Sequence, residues 1–233
     1  MKHRFGLAAF LTFIGTLALI MFIDGLVIGF HMEFRGLSLE EAAAEAGKPM
    51  IIVNQLIFLV VSLAFIGSIL KAKVGETWFG VGGFKVSDIG FGVLVGVGGW
   101  ILTGIVTAIL VRFFPVEVPE WFRRMVTAEN LEDLAAFLLL TWILIGPCEE
   151  LFFRGALQNA LTRWGGAAPG ILMAGLFFGA AHFDATLWVR SVGAFIIGIV
   201  YGVTYHRRRS LVPCIVAHSL NDTISFALTF IHA

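Results

Sequence analysis

Long apolar runs separated by short polar intervals set the pattern of this chain. A membrane-spanning helix needs about 17–25 predominantly apolar residues. Seven runs are candidates, covering approximately 5–30, 51–70, 89–111, 134–145 (continuing into an acidic stretch), a shorter one over 168–183, then 187–205 and 211–231. The first follows Met1-Lys2-His3-Arg4, as the core of a secretory signal would. Its apolar stretch is too long for one and lacks a small-residue cleavage site, so it predicts a span. Ser38 followed three residues later by Glu41 makes a capping box, and Gly47 is a candidate stop, so a short surface helix is predicted between the first two spans. The Gly-rich, aromatic stretch 75–90 predicts an interfacial loop or re-entrant piece. Residues 113–134 mix Pro, Trp and both charge signs, which predicts an amphipathic helix at the membrane surface. No internal repeat is visible.

Composition agrees with that pattern. Hydrophobic residues make up 58% and charged residues 14%, against about 25% charged in soluble domains, and the mean hydropathy is +0.92. The expected fold is all-α: a polytopic membrane helix bundle of about seven transmembrane helices around a polar chamber. It forms one integral membrane domain, 1–233, with helices and interfacial segments over 1–130 and the polar motifs over 131–233. Zero net charge and no basic tract leave no footing for nucleic acid. Cys148 and Cys214 lie in or beside apolar segments and read as packing thiols. Basic residues concentrate in cytoplasmic loops. A cytoplasmic N-terminus puts ten of the 16 on that side: Lys2, Arg4, Lys71, Lys73, Lys85, Arg154, Arg163 and Arg207 to Arg209. Arg35, Lys48, Arg112, Arg123, Arg124 and Arg190 fall opposite, with most of the acids. The acidic motif is then expected near the cytoplasmic face.

Three polar constellations interrupt the late spans. In Cys148-Glu149-Glu150-Leu151-Phe152-Phe153-Arg154, a helix of about 100° per residue returns Arg154 to within about 40° of Glu150 but leaves it about 140° from Glu149. Arg154 is therefore expected to pair with Glu150, leaving Glu149 to project elsewhere, and Pro147 should kink or open the helix locally. Phe178 and His182, four apart, share a helical face. His218 shares one with Asn221 and Asp222, and Pro213, one turn earlier, could loosen that helix in the same way. Ionisable groups at membrane depth are costly and often mark function. Each constellation alone also fits a structural role, as an ion pair or an interhelical staple. Asp24 and Asn54, isolated in the first two spans, read as packing or interfacial groups. Two acids, two histidines and an amide neighbour on three helices can together serve a hydrolase, with carboxylate and imidazole deprotonating water and a second imidazole with Asn or Asp stabilising an oxyanion.

Glu149-Glu150-x-x-x-Arg154, Phe178-x-x-x-His182 and His218-x-x-x-Asp222 resemble the three motifs of the CAAX protease and bacteriocin-processing family (Abi proteins, type II CAAX prenyl endopeptidase relatives), over about residues 130–230. The resemblance implies an intramembrane glutamate protease, integral to a bacterial or archaeal cell membrane, acting on a peptide or lipidated protein substrate without a cofactor. Glu149 would be the base on the attacking water, assisted by His182. Glu150 and Arg154 would hold the motif in shape, Phe178 would line the pocket, and His218 and Asp222 would occupy the oxyanion-stabilising positions. An ionised Asp222 would repel an oxyanion. It either carries a proton, or orients His218, or leaves the donor role to Asn221.

Three other readings use the same residues. Glu149, His182 and His218 could bind Zn²⁺ with a fourth position for water, although no His-Glu-x-x-His signature is present. A non-catalytic membrane scaffold or immunity factor could retain the motifs. A transporter could use buried Glu and His as a proton relay, but repeat symmetry and paired broken segments are missing.

Overall fold

The computed structural model describes residues 3–79, 83 and 85–232, and the described residues contain helices and no strand. In chain order these are α1 (His3–Arg35), α2 (Leu39–Leu70), α3 (Val74–Phe79), α4 (Val86–Phe113), α5 (Glu120–Val126), α6 (Leu131–Gly165), α7 (Ala167–Ala181), α8 (Trp188–Arg208) and α9 (Val212–Ile231). Six of them, α1, α2, α4, α6, α8 and α9, are long and apolar enough to cross a membrane; the shorter apolar α7 is the seventh predicted span. Leu7, Phe22, Leu94 and Ile105 are exposed on α1 and α4, as helices facing lipid require.

The surface helix expected before residue 50 is instead the start of α2. The capping box forms, with the Ser38 side chain accepting from Glu41 N–H and the Glu41 carboxylate accepting from Ser38 N–H. The helix then continues through Gly47 and Pro49 to Leu70. Gly47 packs against α5: a Cβ there would lie 2.6 Å from Met125 Cγ. Its missing side chain serves close packing, and it stops nothing. Asp24 and Asn54 are not isolated either, since Asn54 Nδ2 donates to Asp24 Oδ2 at 3.3 Å and ties α1 to α2. Both cysteines are buried and unpaired.

Of the stretch 75–90, Gly80, Val81, Gly82 and Phe84 lie outside the described residues, as does Lys2. The remainder gives part of α3 and the start of α4. Trp78 O of α3 accepts from Leu211 N–H and buried Asp88 of α4 pairs with Arg208, so this segment is pinned to the turn between α8 and α9. The segment 113–134 holds the short α5, none of whose residues is buried, and the first turn of α6.

Helices α7 and α8 meet through glycine. A Cβ on Gly175 would lie 2.9 Å from Ile199 Cγ1, and one on Gly198 would lie 3.1 Å from Gly175 Cα. Small residues at such crossings let backbones approach where lipid offers no hydrophobic drive for association. The central helix α6 is continuous but widened. π-helical turns at Thr141–Ile145 and Leu151–Gln158 flank Gly146–Glu150. Pro147 lacks an N–H, which breaks the regular ladder, and Gly146 N–H reaches back to Thr141 O. That same carbonyl accepts from Ser219 Oγ of α9 at 3.1 Å, joining the irregular turn to the helix that carries His218. Pro213 behaves differently from the expectation: it lies in the first turn of α9, where its lost N–H has no intrahelical partner to miss, so it starts the helix and loosens nothing.

Candidate active site

Glu149 and Glu150 are consecutive on α6, so they face different neighbours. Glu149 projects into a cavity of about 570 Å³ whose wall includes Gln55, Phe178, His182, Tyr201, His218, Asn221 and Asp222. Its Oε1 accepts from buried Gln55 Nε2 at 2.9 Å. Its buried Oε2 has no hydrogen-bond partner among the described residues. That oxygen stands 4.0 Å from His182 Nε2 and 3.9 Å from His218 Nε2, beyond direct hydrogen-bond range.

The two imidazoles are each held through Nδ1. His182, at the end of α7, places Nδ1 2.8 Å from Phe178 O. A carbonyl only accepts, so Nδ1 carries the hydrogen and a neutral ring presents its Nε2 lone pair to Glu149. Its backbone carbonyl accepts from Ser191 Oγ of α8 at 3.1 Å. His218 places Nδ1 2.8 Å from Glu150 Oε1 and Nε2 3.6 Å from Asp222 Oδ2.

Glu150 and Arg154 form the pair expected from helical spacing, with Arg154 Nη1 3.0 Å from Glu150 Oε1 and both side chains fully buried. Arg154 does more than neutralise a neighbour. Nη2 donates to Gly198 O at 3.0 Å, and the guanidinium lies 4.5 Å from the Phe178 ring centroid and 5.4 Å from that of Tyr201. One cation thus ties α6 to α7 and α8. The Phe178 ring, 4.6 Å from the His182 ring and 5.8 Å from the His218 ring, forms the wall between them.

All eight residues singled out in the sequence meet here. Glu149, Phe178, His182, His218, Asn221 and Asp222 line the cavity, while Glu150 and Arg154 stand behind it. Sequence reasoning missed Gln55 and Tyr201. Gln55 was visible as a second polar residue beside Asn54 in an apolar run, a weak signal until the partner is known. Tyr201, whose ring is 5.7 Å from that of His218, has no marker in sequence. Sequence reasoning also missed the bond from Glu150 to His218. The position of the cavity corrects one expectation. Glu149 is mid-helix in α6, and the lining residues Thr103, Thr107, Phe122, Met125, Ser225 and Thr229 extend toward α5, at the end of the bundle opposite the N-terminus. The acidic motif does not open toward the N-terminal side.

A zinc site would need three donors converging at about 2.0–2.2 Å from one point. Among the described residues no three His, Cys, Asp or Glu side chains are grouped closely enough to hold an ion as they stand.

Two carboxylates and two histidines on late apolar helices thus stand around one cavity, a set of groups able to activate water. Residues 131–224 match the family model described as Rce1-like, type II CAAX prenyl endopeptidase Rce1-like. The match takes in all three motifs and makes residues 131–224 similar to that family. No curated protein and no solved structure matches the chain. Gln55 lies outside the matched segment.

Proposed function

We propose that this protein is an intramembrane endopeptidase in which Glu149 activates water to cleave a peptide bond of a membrane-associated or lipidated substrate. The observation that carries the reading is Glu149 Oε2, a buried carboxylate oxygen without a partner, facing two imidazole nitrogens across 4.0 and 3.9 Å on a cavity wall. A water making bonds of about 2.8 Å to Glu149 and to His182 would bridge 4.0 Å with the two bonds at roughly a right angle. Glu149 takes the water's proton while the His182 lone pair holds the second hydrogen, and the oxygen attacks the substrate carbonyl carbon. Glu149 then returns the proton to the departing amine.

The developing oxyanion needs donors. His218 gives Nδ1–H to Glu150, so donating from Nε2 as well requires an imidazolium, a cation set among the carboxylates of Glu149, Glu150 and Asp222. The Asp222 contact supports a role in orienting His218, which leaves Asn221 on the same wall as the uncharged donor. Glu150 and Arg154 position this unit.

A cytoplasmic N-terminus goes with this reading, supported by the excess of basic residues on that side. With Arg154 set aside as buried, nine remain on the N-terminal side and six on the other. The cavity then opens away from the cytoplasm. A comparison of membrane proteins and released peptides between cells carrying the wild type and Glu149→Gln tests the reading. Fragments that require Glu149 are expected; identical fragment sets would refute peptidase activity and favour a scaffold.

A further inference from the structure

At the end of the bundle away from the cavity, where α1 begins and α2 and α6 finish, two arginines share one aromatic ring. The guanidinium carbon of Arg4 lies 4.9 Å from the Phe5 ring centroid and that of Arg163 lies 5.4 Å from it. Arg163 is aimed by a hydrogen bond from Nη1 to Leu70 O at 2.8 Å, which ties the end of α6 to that of α2. The next residue, Trp164, packs on α1, where a Cβ on Gly6 would lie 2.8 Å from Trp164 Cγ. Lys71, which follows the carbonyl that Arg163 uses, is exposed and turns the chain through a left-handed conformation, with φ 51°.

These charges have no protein counter-ion. Neither guanidinium has a carboxylate within 4.0 Å among the described residues. The two acids at this end are engaged elsewhere, Glu76 with Lys73 at 3.3 Å and Asp88 with Arg208. Along the chain no Asp or Glu precedes Asp24, and none lies between Glu150 and Asp184. Two like charges against one ring repel each other, and an anion placed beside both converts that repulsion into attraction.

The surroundings say what kind of anion fits. One and two turns into α1, Leu7 and Leu11 are exposed, an apolar face on which acyl chains can lie. Trp164, also partly exposed, stands at the helix end, the depth where tryptophan gathers beside lipid headgroups.

We infer that Arg4, Phe5 and Arg163 form a binding site for the phosphate of an anionic phospholipid, whose acyl chains run along the exposed apolar face of α1. A guanidinium fork matches phosphate oxygens in bidentate geometry, Phe5 supplies a platform that restricts both forks, and basic pockets between helix ends are suited to anionic headgroups. The same helix contributes Leu17 and Ile20 to the wall of the Glu149 cavity, so a lipid that fixes the start of α1 also steadies that wall.

The test titrates the full-length protein in detergent with phosphatidylglycerol or phosphatidylcholine and counts bound lipid per chain by native mass spectrometry. The wild type is expected to bind phosphatidylglycerol at least about 10-fold more tightly. Arg4 makes no ion pair or side-chain hydrogen bond among the described residues, so Arg4→Gln should fold normally and lose most of that preference. Phe5→Leu keeps both charges and removes their platform, and should weaken phosphatidylglycerol binding about 3-fold or more. A control with Lys85→Gln and Arg207→Gln removes two other cations from the same end and should leave the preference in place. Equal affinity of the wild type for the two lipids overturns the assignment. An equal loss in the control, with Phe5→Leu unaffected, also overturns it, because the attraction would then belong to the whole basic end. Displacement of the lipid by an equimolar amount of inorganic phosphate would give the site to a free phosphate instead.

Discussion

Replacing Glu150 by Gln is nearly isosteric, yet it should destabilise the protein heavily. Glu150 and Arg154 are both fully buried, 3.0 Å apart, and the same Glu150 oxygen also accepts from His218 at 2.8 Å. Removing the charge leaves a guanidinium with no counter-ion in the interior. Breaking a buried pair in this way costs about 3–5 kcal/mol, whereas replacing both partners with apolar groups is often much less damaging. The unfolding free energy in mixed micelles, titrated with a denaturing detergent, should therefore fall by about 3–5 kcal/mol for Glu150→Gln. Adding Arg154→Met should recover about 2 kcal/mol or more, a coupling in the range expected for neighbours. Gly198 O would lose its donor in the double variant, so recovery should be incomplete. A single-variant loss below about 1 kcal/mol, or effects that add within about 0.5 kcal/mol, would refute the view that this pair holds the site together.

Three further outcomes follow from the same geometry. Gln55→Leu removes the buried donor to Glu149 Oε1; a hydrogen bond to a charged group contributes about 1.5–3 kcal/mol, so kcat is expected to fall about 10- to 100-fold with KM little changed, measured by steady-state cleavage. Gly198→Leu forces α7 and α8 apart at a contact of 3.1 Å and displaces the carbonyl that Arg154 uses; yield of folded protein on size exclusion should collapse, while Gly193→Leu, with nothing within 4 Å of its Cβ, should express normally. Cysteine placed at Gly36 should react with impermeant maleimide from outside intact cells and cysteine at His3 should not; the reverse pattern would invert the orientation and put the cavity mouth on the cytoplasmic side.

Much of this arrangement could be read from the residues, because membrane depth makes polar groups conspicuous. The seven apolar runs correspond to α1, α2, α4, α6, α7, α8 and α9, and Arg154 meets Glu150 because helical geometry alone returns it to that face. The local readings failed where tertiary contact decides. Gly47 looked like a helix stop because glycine breaks helices in isolation, but Met125 needed the space. Asp24 and Asn54 looked separate because their runs are separate in sequence, although α1 and α2 bring them together. Gln55 resembled any lone amide until Glu149 stood beside it. The depth of the cavity was misplaced because charge counting assigns loops to sides and says nothing of which half of a helix bundle is hollow.

The most direct test of Glu149 as the base on water is cleavage after exhaustive chelation, with bound metal measured on the same sample. Wild-type protein in nanodiscs would be treated with chelator, checked for zinc content, and assayed on a lipidated peptide that it cleaves, beside a folded Glu149→Gln variant. The carboxylate is expected to act without a metal, so the wild type should retain its rate with far less than one zinc per chain while Glu149→Gln falls to the uncatalysed level. Loss of cleavage on chelation and recovery with Zn²⁺ at one ion per chain would contradict it, as would a Glu149→Gln variant that still cleaves.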